Sequence, residues 1–99
     1  MKKILLICSA GMSTSLLVTK MQKAAAEQGL ELDISATGSG TYKAEAAKAD
    51  VLLLGPQVRF MMKEVSSAVP NKPIEVIDMR AYGKVDGVAV LAQALKLMK

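Results

Sequence analysis

The chain has 99 residues, of which 52% are hydrophobic and 3% aromatic, and it carries a formal net charge of +4. This length suits a single domain over residues 1–99 with a core of aliphatic side chains and methionine, and the small charge with few aromatic residues argues against nucleic-acid binding. The sequence has one cysteine and no histidine, which excludes an internal disulfide, the usual zinc ligand sets and His-assisted nucleophilic catalysis, so we expect neither a metal nor a cofactor.

The first half of the chain alternates strand and helix patterns. Residues 4–8 form an apolar run that predicts a buried strand, and a helix follows to about Gln28, with Ser13 or Thr14 as its N-cap and Gly29 as its C′ residue. Residues 30–36 alternate as a half-exposed edge strand does, 37–40 predict a turn, and 42–48 predict a short alanine-rich helix. The buried face of the first helix is predicted to consist of Leu16, Leu17, Met21, Ala24, Ala25 and Gln28.

The second half continues the alternation. Residues 51–54 are wholly apolar and predict a buried strand, a helix follows from about Val58 to Ala68, and residues 74–77 predict a fourth strand. We expect a loop at 78–86 and a last helix from about Gly87. The apolar faces of these two helices are predicted to be Val58, Met61, Val65 and Ala68 in the first, and Val88, Leu91, Leu95 and Met98 in the second.

Four alternations of strand and helix predict an α/β fold, an open three-layer domain whose four-stranded parallel sheet has helices on both faces. Right-handed crossovers bring the carboxyl ends of all strands to one rim, where open α/β sheets bind their ligands. Three segments follow strands and should gather at this rim: Cys8, Gly55-Pro56-Gln57, and Asp78 to Tyr82. Asp50 precedes a strand and should lie at the opposite end.

Cys8 is the candidate nucleophile, because it ends the first strand and is followed by small and hydroxyl residues that lead into a helix. Backbone N–H groups at such a place favour anions, which includes a thiolate or a phosphoryl group held beside the sulfur. The first acid of the chain is Glu27, so the helix start is open to an external anion, although hydroxyl caps alone would also explain its composition. A buried structural thiol is the alternative for Cys8. The residues proposed to bind the phosphate are Ser9, Ala10, Gly11, Met12, Ser13, Thr14 and Ser15.

Three rim residues carry two interpretations each. Gln57 either caps the third helix or contacts the site, and Tyr82 either packs over the sheet or contacts the site. Asp78 is either a general acid near the sulfur or a turn or cap residue, and Asp86 is most simply the N-cap of the last helix.

Residues 1–17, MKKILLICSAGMSTSLL, resemble the start of the enzyme IIB components of the lactose/cellobiose (chitobiose, lichenan) class of the bacterial sugar phosphotransferase system. The resemblance continues at 52–57 (LLLGPQ), 73–78 (PIEVID) and 82–87 (YGKVDG). It covers essentially the whole chain, although 35–48 is less recognisable and its conformation is left open. The resemblance implies the same four-stranded parallel fold that the pattern predicts.

The resemblance also implies a phosphoryl relay. Cys8 would accept a phosphoryl group from a phosphohistidine of enzyme IIA, hold it as phosphocysteine, and pass it to a sugar bound by the membrane-embedded enzyme IIC. The sugar would be a β-linked disaccharide of the cellobiose or chitobiose type, without a choice among them. No run in the sequence approaches the ~20 apolar residues of a membrane-spanning helix, so we expect a cytoplasmic protein that meets the membrane through enzyme IIC.

Two alternatives come from other functional classes. Low-molecular-weight phosphatases and arsenate-reductase-like enzymes have a Cys-x5-Arg loop in which a guanidinium holds the oxyanion, but Thr14 stands at the arginine position here. A nucleotide- or flavin-binding module is disfavoured because the loop lacks the G-x-G-x-x-G and Walker patterns.

Overall fold

The computed structural model describes residues 2–8, 12–38 and 40–98. Within them, four parallel strands form one sheet in the order β2-β1-β3-β4, which confirms the predicted α/β class and the edge position of β2. The strands are β1 (Lys2–Cys8), β2 (Leu32–Gly38), β3 (Val51–Leu54) and β4 (Ile74–Val76). The helices are α1 (Met12–Glu27), α2 (Lys43–Lys48), a 3₁₀ segment (Pro56–Met61), α3 (Met62–Ala68), α4 (Met79–Gly83) and α5 (Gly87–Leu97).

The central strands are apolar from Ile4 to Cys8 in β1 and throughout β3, because helices cover both of their faces. Alternate side chains of each strand point to opposite faces, so Ile4 and Leu53 pack against α1, α4 and α5, whereas Leu5 and Leu54 pack on the other side. The second layer is made by α2, the 3₁₀ segment and α3. Each face of the sheet therefore has its own apolar cluster, and side chains of the sheet contribute to both clusters.

The predicted helix faces are right in part. Leu17, Met21, Ala24 and Ala25 are buried, but Leu16 is 49% exposed and Gln28 is exposed as well. Val58, Met61 and Val65 are buried, whereas Ala68 is exposed. In α5 the buried residues are Gly87, Val90, Leu91 and Ala94, while Leu95 and Met98 are partly buried.

The prediction for Val88 is wrong, since its side chain is 58% exposed. The physical reason lies at Gly87, where a Cβ would stand 2.6 Å from the Lys20 carbonyl carbon and 2.8 Å from the Met21 backbone nitrogen. The backbones of α1 and α5 can approach this closely only because residue 87 lacks a side chain. That contact turns the neighbouring Val88 toward solvent.

Two predicted boundaries also change, and a third is confirmed. Helix α1 begins at Met12, so Ser13 and Thr14 lie inside the helix and its N-cap falls outside the described residues. Strand β2 continues through Thr37 to Gly38 instead of turning there, because these residues pair with Ile7 and Cys8 of β1. Gly29 has φ of +72°, which confirms it as the residue that ends α1.

The predicted loop at 78–86 contains the short helix α4. Its first turn is held by the Asp78 carboxylate, which accepts a hydrogen bond from the Ala81 backbone N–H at 3.2 Å, and Ala81 is buried in the core. Similarly, the helix expected from Val58 begins as a 3₁₀ segment at Pro56, a residue suited to a first helical position. It kinks at Val58, whose φ and ψ are −116° and 21°.

Polar contacts close the amino end of the sheet. The Asp50 carboxylate accepts from the Lys3 backbone N–H at 2.8 Å, which confirms the predicted position of Asp50. The Lys3 ammonium lies 2.7 Å from the Glu45 carboxylate, and this hydrogen bond raises the pKa of Lys3 and lowers the pKa of Glu45. The Lys72 ammonium donates to the backbone carbonyls of Ala46, Ala47 and Ala49 at 3.2, 2.6 and 2.6 Å.

Candidate functional site

Cys8 is the last residue of the central strand β1 and is 2% exposed. Its neighbours in the sheet leave a narrow space lined by backbone, since it pairs with Gly38 of β2 and lies against Gly55 after β3. A Cβ on Gly55 would stand 2.7 Å from the Cys8 Sγ atom. Gly55 is held in this place because its N–H donates to the Ile7 carbonyl at 2.9 Å. Residue 55 must therefore be glycine for the thiol to keep its position.

The helix that follows Cys8 begins at Met12 and has no acidic residue in its first turn. Thr14 in that turn is 5% exposed, and its Oγ1 atom is buried without a hydrogen-bond partner among the described residues. A buried hydroxyl without a partner costs free energy, so such a group calls for a ligand or another explanation. The predicted phosphate residues Ser9, Ala10 and Gly11 lie outside the described residues, as do the side chains of Met12 and Ser13. Ser15 is exposed.

Two of the three predicted rim contacts meet beside the cysteine. The Gln57 Nε2 atom donates to the Tyr82 hydroxyl at 3.0 Å. A Cβ on Gly55 would also stand 2.9 Å from the Gln57 Oε1 atom, so Gln57 Oε1 and Cys8 Sγ lie against the same glycine. Among the described residues, the side-chain hydrogen bond of Gln57 is this bond to Tyr82. Tyr82 also packs against the core on the α1 side of the sheet. The carboxyl rim therefore joins Cys8, Gln57 and Tyr82.

Asp78 has a different role in the structure. Its carboxylate caps α4, and its backbone N–H donates to the Gln93 Oε1 atom at 3.1 Å. Asp78 thus fixes the start of the short helix that carries Tyr82, which is the capping interpretation of this residue. Asp86 caps α5 in the same way, through a bond from the Ala89 N–H at 3.1 Å, as the sequence predicts.

Sequence reasoning placed Gly55 at the rim without its contact to the thiol, and it missed Gln93. The contact between Gly55 and the thiol depends on the register of β1 against β3, which no local pattern reveals. Gln93 of α5 binds the open edge of β4, where its Nε2 donates to the Val76 carbonyl at 2.8 Å. A groove of about 700 Å³ runs along this edge, lined by Asp78 and Gln93 among others, and its lining does not include Cys8.

Comparisons with known proteins agree with one another on the family of this chain. The family model of the PTS system, lactose/cellobiose specific IIB subunit, matches residues 3–93. The chain is 51% identical to the PTS system oligo-beta-mannoside-specific EIIB component of Bacillus subtilis (strain 168), covering 99% of this chain and 97% of that protein. It is 50% identical to the galactose-specific EIIB component of Lactococcus lactis subsp. cremoris (strain MG1363), covering 98% and 96%. It is 49% identical to the cellobiose-specific EIIB component of Lactococcus lactis subsp. lactis (strain IL1403), also covering 98% and 96%.

Solved structures show the same fold. The lactose-specific IIB component domain from Streptococcus pneumoniae superposes with a TM-score of 0.86 at 17% identity, covering 99% of this chain and 98% of that chain. The cellobiose-specific phosphotransferase IIB component protein from Borrelia burgdorferi superposes with a TM-score of 0.81 at 35% identity, covering 98% and 91%. Within the described ranges, no helix combines the length and the apolar character needed to cross a membrane. The chain therefore belongs to the lactose/cellobiose-specific IIB subunits of the phosphoenolpyruvate:carbohydrate phosphotransferase system.

Proposed function

We propose that Cys8 is the phosphoryl carrier of this IIB subunit. Its sulfur attacks the phosphorus of a phosphohistidine on enzyme IIA, so that an S–P bond forms as the N–P bond breaks and the imidazole leaves. A hydroxyl of a sugar bound to enzyme IIC then attacks the same phosphorus, so that an O–P bond forms as the S–P bond breaks, the sulfur leaves as a thiolate, and the hydroxyl proton passes to solvent. Membership of the family already makes the chain a transferase component that acts in sugar uptake.

The hydroxyl of Thr14, buried and without a hydrogen-bond partner in the part of the chain that the structure describes, is the observation that supports this proposal most strongly. It lies in the first turn of the helix that follows the cysteine, where the helix dipole and free N–H groups attract anions. An oxyanion bound there would give this hydroxyl its missing acceptor. We propose that the backbone N–H groups of residues 9 to 15, together with the hydroxyls of Ser9, Ser13, Thr14 and Ser15, hold the phosphoryl oxygens.

The chemistry needs no histidine on this chain. Phosphoryl transfer is accelerated by in-line positioning and by donors aimed at the equatorial oxygens. A thiolate stabilised by surrounding dipoles is itself a sufficient nucleophile and needs no general base. The absence of histidine from the sequence is thus compatible with the relay.

The phosphatase-like alternative has weaker support. Thr14 stands where those enzymes have arginine, so the guanidinium that holds the oxyanion in their loops is missing from this position. We expect slow hydrolysis of the phosphocysteine, which suits a carrier that must reach a second protein. Rapid release of phosphate from an aryl phosphate by the isolated protein would favour the phosphatase instead.

The rim around the cysteine suits protein partners. Phe60 is 78% exposed and Met79 is 62% exposed, and both closely follow strands that end at this rim. Exposed apolar side chains near a reactive group are a common feature of docking surfaces. We propose that enzyme IIA and enzyme IIC meet this rim in turn, with the protein in the cytoplasm and held near the membrane through enzyme IIC.

The sugar is proposed to be a β-linked disaccharide of the cellobiose or chitobiose type. Three relatives named for an oligo-β-mannoside, galactose and cellobiose are 51%, 50% and 49% identical to this chain, so overall similarity does not select one sugar. We infer that the choice is made mostly by enzyme IIC. Phosphorylation of different disaccharides by one IIB paired with different IIC proteins would test this inference.

Intact-mass analysis tests the relay. The protein is incubated with phosphoenolpyruvate, the general phosphotransferase proteins and enzyme IIA, and we expect one added phosphate that maps to Cys8. The control is Cys8→Ser, which should remain folded and take up no phosphate, because a serine hydroxyl is not ionised near neutral pH. A serine variant that still relayed phosphate to sugar, or a wild-type protein that gained none, would refute the assignment.

A further inference from the structure

The carboxamide of Gln57 has a definite orientation beside the cysteine. Its nitrogen is committed to Tyr82, to which it donates at 3.0 Å. Its oxygen, and not its nitrogen, is the amide atom nearest to the space above Gly55, 2.9 Å from the position where a Cβ would stand. The Cys8 Sγ atom lies 2.7 Å from that same position. In the unmodified protein, therefore, the amide oxygen, which is a hydrogen-bond acceptor, and the sulfur both lie against Gly55.

This orientation is unfavourable once a phosphoryl group is on the sulfur. A phosphoryl group on sulfur carries negative charge on oxygens that accept hydrogen bonds. An amide oxygen is also an acceptor and has no hydrogen to donate, so no hydrogen bond can form between the two. An amide nitrogen in the same place would instead donate a charge-assisted hydrogen bond, which is the stronger kind. Electrostatics thus favours opposite orientations of the carboxamide in the two states of the protein.

The partner of Gln57 allows both orientations. A tyrosine hydroxyl accepts and donates, so Tyr82 can accept from the amide nitrogen in one state and donate to the amide oxygen in the other. The hydroxyl itself is well placed, because the ring packs against the core and the Tyr82 backbone N–H donates to the Asp78 carbonyl at 2.9 Å in α4. Gln57 is exposed at the surface, so rotation of its side chain meets little resistance. The bond between the two residues can therefore reverse its direction while both stay in place.

We propose that the Gln57 carboxamide reverses when Cys8 is phosphorylated, so that its nitrogen donates to a phosphoryl oxygen while its oxygen accepts from the Tyr82 hydroxyl. This inference rests on the phosphorylation of Cys8 proposed above. Gln57 then contacts the transferred group directly, and Tyr82 acts through Gln57 as a positioning residue. The pair provides a donor when the phosphoryl group arrives and withdraws it when the group leaves.

Nuclear magnetic resonance of the wild-type protein tests the reversal without any substitution. In ¹⁵N-labelled protein, the side-chain amide protons of Gln57 should show an Overhauser contact with the Tyr82 ring before phosphorylation. After phosphorylation with phosphoenolpyruvate, the general proteins and enzyme IIA, that contact should disappear and a scalar coupling from Gln57 Nε2 to phosphorus should appear. The amide groups of Gln22, Gln28 and Gln93 serve as internal controls and should not change.

Variants provide a second test. Gln57→Glu removes the donor and adds a charge, so the phosphorylated fraction at equilibrium should fall about tenfold or more, the effect of one hydrogen bond to a charged group. Gln28→Glu makes the same chemical change at an exposed position beyond the far end of α1, and it should leave that fraction unchanged. Tyr82→Phe should lower the fraction only about two- to fivefold, because the amide donor remains but loses its anchor.

The outcomes separate this inference from the function on which it rests. If the wild-type protein takes up no phosphate, the carrier role of Cys8 fails. If it is phosphorylated while the Gln57 contact with Tyr82 persists, or if Gln57→Glu behaves like Gln28→Glu, the reversal is overturned and the carrier role stands. Loss of the contact together with the donor-dependent fall in phosphorylation supports the reversal.

Discussion

The two ends of the sheet treat their polar groups in opposite ways. At the amino end, the Lys72 ammonium binds three backbone carbonyls, Asp50 binds the Lys3 N–H, and Lys3 pairs with Glu45. At the carboxyl end, the Thr14 hydroxyl is buried without a described partner, and the Cys8 sulfur is held against a glycine. One end therefore satisfies its own groups, whereas the other leaves groups available to a ligand.

This contrast has a physical cause in the topology. Parallel strands place all their carboxyl ends, with the loops and helix starts that follow them, on one rim, which is where open α/β sheets bind ligands. The amino ends of the strands do not have to bind a ligand, so the contacts there can serve stability alone. Substitutions at the amino end should accordingly change stability and leave phosphoryl transfer intact. Substitutions at the carboxyl end should change phosphoryl transfer more than they change stability.

The largest effect is expected from Gly55→Ala. The new methyl group would stand 2.7 Å from Cys8 Sγ and 2.9 Å from Gln57 Oε1, so the thiol must shift or the strand end must move. We expect phosphorylation to be lost and the free energy of unfolding to fall by about 1–3 kcal/mol, as for other overpacked sites. Gly83→Ala is the matched control, because nothing lies within 4 Å of a Cβ there. Mass analysis and thermal unfolding measure both effects, and a Gly55→Ala protein that is phosphorylated normally would contradict the geometry.

The next effect is expected at the amino end, from Lys72→Met. This change removes three charge-assisted hydrogen bonds to the carbonyls that end α2 but keeps most of the aliphatic stem. Because the side chain is partly exposed, we expect a loss of about 1–2 kcal/mol of stability with no change in phosphorylation. Lys96→Met, at an exposed position of α5, should leave stability nearly unchanged. A Lys72→Met protein that lost phosphoryl transfer while folded would break the division between the two ends.

Thr14→Val should have a smaller effect of opposite sign on stability. Valine has nearly the same shape and lacks the buried hydroxyl, so the protein should gain about 1 kcal/mol of stability. Phosphorylation should nevertheless fall, because a donor to the phosphoryl group is lost. Thr19→Val is the control on the same helix, since the Thr19 hydroxyl is exposed and donates to the Ser15 carbonyl. A protein destabilised by Thr14→Val would mean that the hydroxyl has a structural partner instead.

The smallest effect concerns pH at the amino end. The hydrogen bond to Lys3 lowers the pKa of Glu45 from its ordinary value of 4.5, so the contribution of this pair is complete above 4.5 and is lost as the pH falls through the lowered value. The same hydrogen bond raises the pKa of Lys3 from its ordinary value of 10.5, so the contribution of the pair is complete below pH 10.5 and is lost as the pH rises through the raised value. Glu45→Gln should therefore lower the melting temperature slightly near neutral pH and have no effect in strong acid. A difference that stayed constant with pH would exclude the ion pair as its source.

The fold class was predictable because it depends on a pattern that the chain repeats. Residues 51–54 are apolar at every position, which is typical of a strand buried on both faces, and the structure places β3 at those residues. The edge position of β2 followed from its alternation, and the location of both Gln57 and Tyr82 at one rim followed from the topology. The helical face of α5 was not predictable, because the close contact of Gly87 with Lys20 and Met21 decides it.

The amino-acid sequence by itself determined the alternation of strands and helices, the rim at which the cysteine lies and the family to which the chain belongs, since these depend on local pattern and on a specific motif. Only the tertiary structure decided that Gly55 packs against a thiol 47 positions earlier, that Gln57 bonds to Tyr82, and that Asp78 caps α4. Such contacts depend on strand register and helix packing, because the distance between two residues that are remote in sequence is set by the whole fold. No single segment of the sequence determines that distance.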